Sequence, residues 1–324
     1  MKKVLVTGAT GFLGRHLVKR LKRRGFSGKL RLFNRRSSEF DSDPEVESVH
    51  GDICSPADVD RAVEGCEAVY HLAGFVSRDP RDALRLYAVH VAGTRNVCEA
   101  AVRHRVERLV LVSSSGTVAV SREPIVHDEN SGYKIREVAE WAYYLSKIYA
   151  EKTALSFYRR EGLPVVVVNP ALLLGPGDEA GSSTGDIVLF LKGQIQSMPL
   201  GGMSFVDARD AASGTIGAME EGRPGERYLL GGPNWTFRHI IERLAELTGR
   251  RPPLLTLSVP ASLLAARVMR RITRFELDDA TIKMSAMFWY CDSSKAAREL
   301  GFRPRDPMDT LSETIQDLRA RGIA

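Results

Sequence analysis

Acidic residues are absent from the first 38 positions of this 324-residue chain, and the first one is Glu39. Cysteine is scarce: Cys54, Cys66, Cys98 and Cys291 have no CxxC or other metal-ligand spacing, which excludes a zinc framework and a disulfide scaffold. They read as reduced thiols of a cytoplasmic protein. No apolar run approaches the ~20 residues of a membrane span. The Val4-Leu-Val6 run after Lys2 and Lys3 meets Gly8 too early for a signal peptide, so the mature chain is expected to start here. Positions 2–36 hold twelve lysines and arginines but no nucleic-acid motif. That charge reads mainly as the solvated face of a first helix, and no nucleic-acid partner is expected.

What the chain does have is ordinary globular bulk: hydrophobic residues make up 44% and charged residues 27%. Short apolar runs at 3–7, 30–33, 47–50, 68–72, 108–113 and 164–168 alternate with helical patterns at 12–24, 56–65, 82–103 and 138–160. Strands alternating with helices predict an α/β, doubly wound parallel sheet of Rossmann type. After Pro170 the alternation stops. Helices near 236–248, 260–273, 293–300 and 308–321 predict a smaller, mostly helical C-terminal substrate lobe. Residues 1–170 are assigned to the cofactor domain, with returns near 205–231, and 171–204 with 232–324 to the lobe.

Gly8, Gly11 and Gly14 lie between the first apolar run and the first helix. Glycines there allow a tight turn and bring a helix N-terminus against a dinucleotide pyrophosphate. An NAD-selective site would carry an acid at the end of strand two to hold the ribose 2′-hydroxyl, whereas this chain has Asn34-Arg35-Arg36. Arginine grips a 2′-phosphate with charge-assisted hydrogen bonds, so NADP(H) is the expected cofactor, with Arg35 ahead of Arg36 and Arg15. Tyr143 and Lys147 share one helix face at i and i+4. A nearby ammonium favours a phenolate, which would make the phenol an acid and base near neutrality.

Several motifs occur in order: Val6-Thr-Gly8-Ala-Thr-Gly11-Phe-Leu-Gly14, Gly51-Asp52-Ile53, His71-Leu-Ala-Gly74, Gly93-Thr-Arg-Asn96, Val112-Ser-Ser-Ser115, Tyr143 to Lys147, Asn169-Pro170 with Gly175-Pro-Gly-Asp178, Phe205-Val-Asp207, and Ser294 to Gly301. On these the chain resembles the extended short-chain dehydrogenase/reductases, a branch of the NAD-dependent epimerase/dehydratases. It is most similar to the dihydroflavonol-reductase-like branch, which includes the hopanoid-associated sugar epimerases. The resemblance implies an oxidoreductase in which Tyr143 exchanges a proton with the substrate oxygen, Ser114 polarises that oxygen, and Lys147 holds the nicotinamide ribose. It implies further cofactor contacts from Thr10, Phe12 and Leu13 in the glycine turn. Asp52 and Ile53 would lie at the adenine, Leu72, Ala73 and Gly74 along the cofactor's middle, and Pro170 to Leu173 against the nicotinamide. One position departs: His90 stands where the family usually has an asparagine, and it reads as a satisfied structural histidine.

Relatives that act on nucleotide sugars carry two arginines that clamp the diphosphate. Aligned without gaps, those positions are Met203 and Ile282 here. In their place Met203, Phe205, Met284, Met287, Phe288 and Trp289 would form an apolar, adaptable pocket. The expected substrate is therefore a small hydrophobic ketone or aldehyde and its alcohol, with a nucleotide-sugar epimerase or dehydratase as the alternative reading. No metal site is expected. The basic segment 263–274 reads as a lobe helix with a solvated face, so no membrane contact is expected, and a homodimer is compatible with the chain.

Overall fold

A computed structural model describes residues 3–26, 28–195, 197–272 and 278–323. Its strands are Lys3–Thr7 (β1), Lys29–Asn34 (β2), Val46–His50 (β3), Ala68–His71 (β4), Arg108–Val112 (β5), Val126–His127 (β6), Val165–Pro170 (β7), Leu172–Leu174 (β8), Gly202–Asp207 (β9), Arg227–Leu230 (β10), Asn234–Thr236 (β11) and Phe288–Cys291 (β12). Its helices are Phe12–Arg23 (α1), Pro56–Val63 (α2), Ala83–Tyr87 (α3), Gly93–Arg103 (α4), Ala142–Glu161 (α5), Gly185–Leu191 (α6), Ala208–Glu220 (α7), Phe237–Thr248 (α8), Val259–Ile272 (α9), Asp279–Met284 (α10), Ser294–Leu300 (α11) and Pro307–Ala320 (α12).

Seven strands form one sheet in the order β10-β7-β5-β4-β1-β2-β3, with every pair parallel. A parallel sheet is covered on both faces, and β7 shows what that asks of a sequence: Val165 to Val168 are all fully buried. Alternate residues feed opposite layers. Val4, Val6, Val110, Val112, Val166 and Val168 pack with α1 and α7, whereas Leu5, Val69, Leu109, Leu111, Val165 and Val167 pack with α2 and α4. The chain leaves β1 toward β2 and β3 and returns to β4 on the other side of β1. Strand order therefore reverses between β1 and β4, where doubly wound sheets open a crevice at the carboxyl ends of their strands.

The expected α/β doubly wound sheet with a smaller C-terminal region is thus present. That region also holds strands the apolar pattern does not reveal: β11-β9-β12-β6, with β8 beside β9. Residues 82–103, read as one helix, are α3, a wide π turn at Ala88–Ala92, and α4. The return to the main sheet consists of α7 and β10, while β9 belongs to the second sheet.

Candidate active site at the strand ends

The turn after β1 is shaped by its glycines. Gly8 has φ +74°, and a Cβ there would lie 2.7 Å from the Ala73 nitrogen. At Gly14 a Cβ would fall 2.8 Å from Ala9 Cα, which fixes how closely α1 approaches the turn. Gly11 caps α1 without a side-chain hydrogen bond, and no acid occupies the first helical turn. The helix therefore presents free N–H groups and the positive end of its dipole to the crevice, as binding a pyrophosphate requires. Thr10 and Gly11 are exposed there, Phe12 is half-buried against His16, and Leu13 points into the core.

Polar side chains behind the crevice tie its loops together. Thr7 Oγ1 accepts from the Ala73 N–H (3.1 Å) and is hydrogen-bonded to His71 Nδ1 (2.8 Å), whose Nε2 meets Thr94 Oγ1 (3.1 Å). Leu72, Ala73 and Gly74 are thereby fixed along one wall. Asn96 donates to the Ile53 carbonyl (3.0 Å), and a Cβ on Gly93 would meet Ile53 at 3.0 Å, so the Gly93-to-Asn96 motif positions the Asp52-Ile53 loop. Asp52 is exposed, and its carboxylate accepts from the Cys54 N–H (2.8 Å). Arg35 and Arg36 directly follow β2, are exposed, and form no salt bridge among the described residues. Arg15 is instead engaged by Glu39 and Glu179, which leaves it the weakest of the three for a phosphate.

Of the three serines after β5, Ser113 is buried and donates to Glu151, and Ser115 is buried. Ser114 is half-buried, and it is the one close enough to the Tyr143 hydroxyl to act on its pKa. Asn169 Nδ2 donates to the Ser114 carbonyl (3.0 Å) and to Glu151 Oε1 (2.7 Å), so the end of β7 holds the end of β5 in place. Tyr143, Lys147 and Glu151 follow one another at i+4 on α5. Lys147 Nζ donates to the Val112 carbonyl (3.1 Å), and a Cβ on Gly74 would lie 3.4 Å from that nitrogen.

The electrostatics differ from the simple sequence expectation. Burial pushes the Tyr143 phenol well above its ordinary value, the adjacent Tyr144 adds to this, and the nearby Ser114 hydroxyl works the other way. Burial also lowers the pKa of Lys147, to about 8, opposed by Glu151. Tyr143 is accordingly held protonated, the form that donates.

His90 lies on the π turn, where Nε2 accepts from the Phe75 N–H (3.1 Å) and Nδ1 meets Ser146 Oγ (2.8 Å). Because the Ser146 hydroxyl itself donates to the Tyr143 carbonyl (2.8 Å), His90 must donate through Nδ1 and is neutral. Burial, then the Lys147 charge, lowers its pKa to about 2. Both nitrogens are committed, so the ring is structural.

Sequence reading missed the buried Glu151, which also accepts from Thr117 Oγ1 (2.8 Å) and pairs with Arg227 (3.2 Å). A Glu four residues after a Lys ordinarily signals a surface pair, so nothing local reveals that the whole face is buried.

In the C-terminal lobe a cavity of about 230 Å³ has a largely apolar wall. Met203, Phe205, Met284 and Ile282 line it, as do Leu172 and Trp289. Phe288 does not: it pairs through its backbone with Ser121, and its ring packs against Tyr290. Alternation along β12 turns the neighbouring Trp289 to the cavity, as expected, whereas Met287 is not part of its wall. Trp289 stacks on Tyr144 (4.8 Å), whose ring meets Tyr143 edge-on (5.1 Å), and these rings link the cavity to the Tyr143 phenol. Arg78, also in the wall, is tied to Asp186 (3.4 Å) and Thr281 (3.1 Å). Pro170 is buried at the end of β7, and Leu173 in β8 packs against the main core.

The model of the NAD dependent epimerase/dehydratase family matches residues 4–231. The chain belongs to that family. It is 32% identical to a putative dihydroflavonol 4-reductase of Synechocystis, over 96% of this chain and 92% of that one. It is 33% identical to sterol demethylase protein B of Methylococcus capsulatus, over 98% and 99%. Among solved structures it is similar to a nucleoside-diphosphate-sugar epimerase of Pseudomonas aeruginosa, with TM-score 0.79 and 28% identity, over 99% of both chains. The chain is therefore an extended short-chain dehydrogenase/reductase, for which a nicotinamide cofactor is expected.

Proposed function

We propose that this protein is an NADP(H)-dependent oxidoreductase that reduces the ketone or aldehyde group of a small hydrophobic substrate. The observation that carries this reading is the protonated Tyr143, beside Ser114 and linked through Tyr144 and Trp289 to an apolar cavity. The uncapped N-terminus of α1 and the glycine turn suit a dinucleotide pyrophosphate, and the unpaired Arg35 and Arg36 suit a 2′-phosphate. When bound, the cofactor supplies the hydride that reaches the carbonyl carbon. Ser114 and Tyr143 hydrogen-bond the carbonyl oxygen, and Tyr143 gives it a proton as negative charge develops there. Lys147 faces the Gly74 wall, where it would hold the ribose.

Met203 and Ile282 support an apolar substrate, because they stand in the cavity wall at the two positions where nucleotide-sugar enzymes of the family carry arginine. Incubating the purified protein with NADPH or NADH and a panel of ketones, aldehydes and nucleotide sugars, while following cofactor absorbance, tests the proposal. Oxidation of NADPH by an apolar carbonyl compound is expected. Activity confined to cofactor-retaining epimerisation of a nucleotide sugar would refute it.

A further inference from the structure

The segment that closes one side of the apolar cavity also presents unpaired apolar and basic side chains to solvent. Leu257, Val259, Ser262, Ala265 and Ala266 line the cavity. From the same stretch, Leu254 is 93% exposed, Leu255 65%, Leu264 63% and Val268 49%. On α9 the two sets occupy different faces: 262, 265 and 266 turn inward, while 264 and 268, at i and i+4, turn outward. Leu200 adds to the patch, because the Met198 N–H donates to the Leu255 carbonyl (2.7 Å) and Leu200 is itself half-exposed.

The charge around these leucines has one sign. Positions 247–275 contain six arginines and no acid. Arg250, Arg251, Arg267 and Arg271 are exposed and make no ion pair among the described residues. The adjacent Asp278 is turned back to cap α10, accepting from the Thr281 N–H and hydroxyl (2.8 Å to the latter). Exposed leucines beside unpaired arginines match the boundary of an anionic bilayer, where apolar side chains enter the acyl region and arginines meet the headgroups. A solvated face would need the arginines but not the leucines. An acidic protein partner would meet the arginines, but it would leave unexplained why the exposed leucines stand on the segment whose other face walls an apolar cavity.

We propose that the cavity wall at residues 250–271 docks peripherally on an anionic lipid surface. The cavity then lies directly behind the docked face, so an apolar substrate can exchange with the bilayer without crossing water. That last step rests on the hydrophobic-substrate reading, whereas the docking does not. No helix among the described residues is long and apolar enough to cross a membrane, so the contact is interfacial.

Flotation of the full-length protein with phosphatidylcholine vesicles containing about one-third phosphatidylglycerol, against vesicles of phosphatidylcholine alone, tests the docking. Binding to the anionic vesicles, weakened by salt, is expected. The double variant Arg267→Glu/Arg271→Glu should lower the partition coefficient at least tenfold, given about fivefold per basic residue near such a surface. Leu254→Ser/Leu264→Ser should lower it about tenfold while leaving the melting temperature and NADPH binding unchanged, since both leucines are exposed. Absence of flotation, or flotation indifferent to both variants, would overturn the proposal. A dimer that the leucine variant splits into monomers would show that a second copy covers the patch, and would also overturn it. Because flotation is read without substrate, a failure here is distinguishable from a failure of the proposed reductase activity.

Discussion

Lys147 is 7% exposed and its ammonium has one protein acceptor, the Val112 carbonyl. Burial lowers its pKa from 10.5 to about 8, and Glu151 recovers part of that loss. The charged lysine is therefore disfavoured in the folded state, and the folded protein binds fewer protons than the unfolded chain between about pH 8 and 10.5. The sign follows: the cost is fully present below pH 8 and fades as pH rises through that window, so this group makes stability increase with pH. A gap of about 2.5 pH units corresponds to ~3 kcal/mol. Lys147→Met keeps most of the apolar stem and cannot titrate. The wild-type stability minus that of Lys147→Met, from urea unfolding between about pH 7 and 10.5, should rise by ~3 kcal/mol in favour of the wild type. Other titrating groups cancel in this difference. A difference that stays flat across the range would refute the claim that Lys147 sits in a desolvated, weakly compensated place.

Tyr143→Phe removes the proton donor but keeps the ring that packs on Tyr144, so NADPH binding followed by fluorescence should persist while turnover falls by roughly two orders of magnitude. Unchanged turnover would mean that another acid does the work. NADPH should bind at least about tenfold tighter than NADH, a difference of ~1.4 kcal/mol, and Arg35→Ala should remove most of it in paired titrations. Equal affinities in the wild type would exclude phosphate recognition by Arg35. Glu151→Gln leaves Arg227 without its buried counter-charge and should destabilise by about 3–5 kcal/mol in urea unfolding. A loss under about 1 kcal/mol would show that the carboxylate's charge is not needed there.

The parts of this molecule readable in sequence are those where backbone geometry or a two-sided environment dictates residue type. Gly8 is needed because its φ is positive and Ala73 leaves no room for a Cβ, and Val165 to Val168 because β7 is covered on both faces. The short strands β6, β8, β11 and β12 escaped because two to four residues show no period, and their partners lie far away in the chain. Arg31 shows a similar limit. It interrupts the apolar run of β2, yet it is buried, donating to the Ala62 (2.9 Å) and Glu64 (2.6 Å) carbonyls at the end of α2 and pairing with Glu47. The π turn gives no local sign, since Ala88-Val-His-Val-Ala92 contains neither Gly nor Pro; the turn is set by what His90 reaches, Phe75 and Ser146. Tyr143 and Lys147 were legible as a pair, but their electrostatics were not, because burial outweighs the attraction assumed between them.

Substrate class depends on the lobe, since one sheet and one Tyr-Lys pair can serve several chemistries. A nucleotide diphosphate would bring negative charge into a cavity where Met203 and Ile282 offer no counter-charge. Arg78 is the arginine in that wall; burial works against its charge, yet the Asp186 carboxylate beside it already holds its pKa above the ordinary value. Freeing Arg78 for a phosphate would leave Asp186 as an added repulsion, so the net charge facing the ligand stays near zero. Burying unpaired charge under those conditions costs several kcal/mol, enough to outweigh the contacts of a sugar. An apolar ketone asks only for shape, apolar contact and the hydrogen bonds of Ser114 and Tyr143. In the presence of NADPH, a UDP-sugar at roughly millimolar concentration should therefore leave the melting temperature unchanged, whereas an apolar carbonyl compound that binds should raise it, with ~2.7 kcal/mol gained at a hundredfold excess over its Kd. Stabilisation by the UDP-sugar, lost on Arg78→Ala, would show that Arg78 leaves Asp186 to hold the diphosphate, and the apolar-substrate reading would fall.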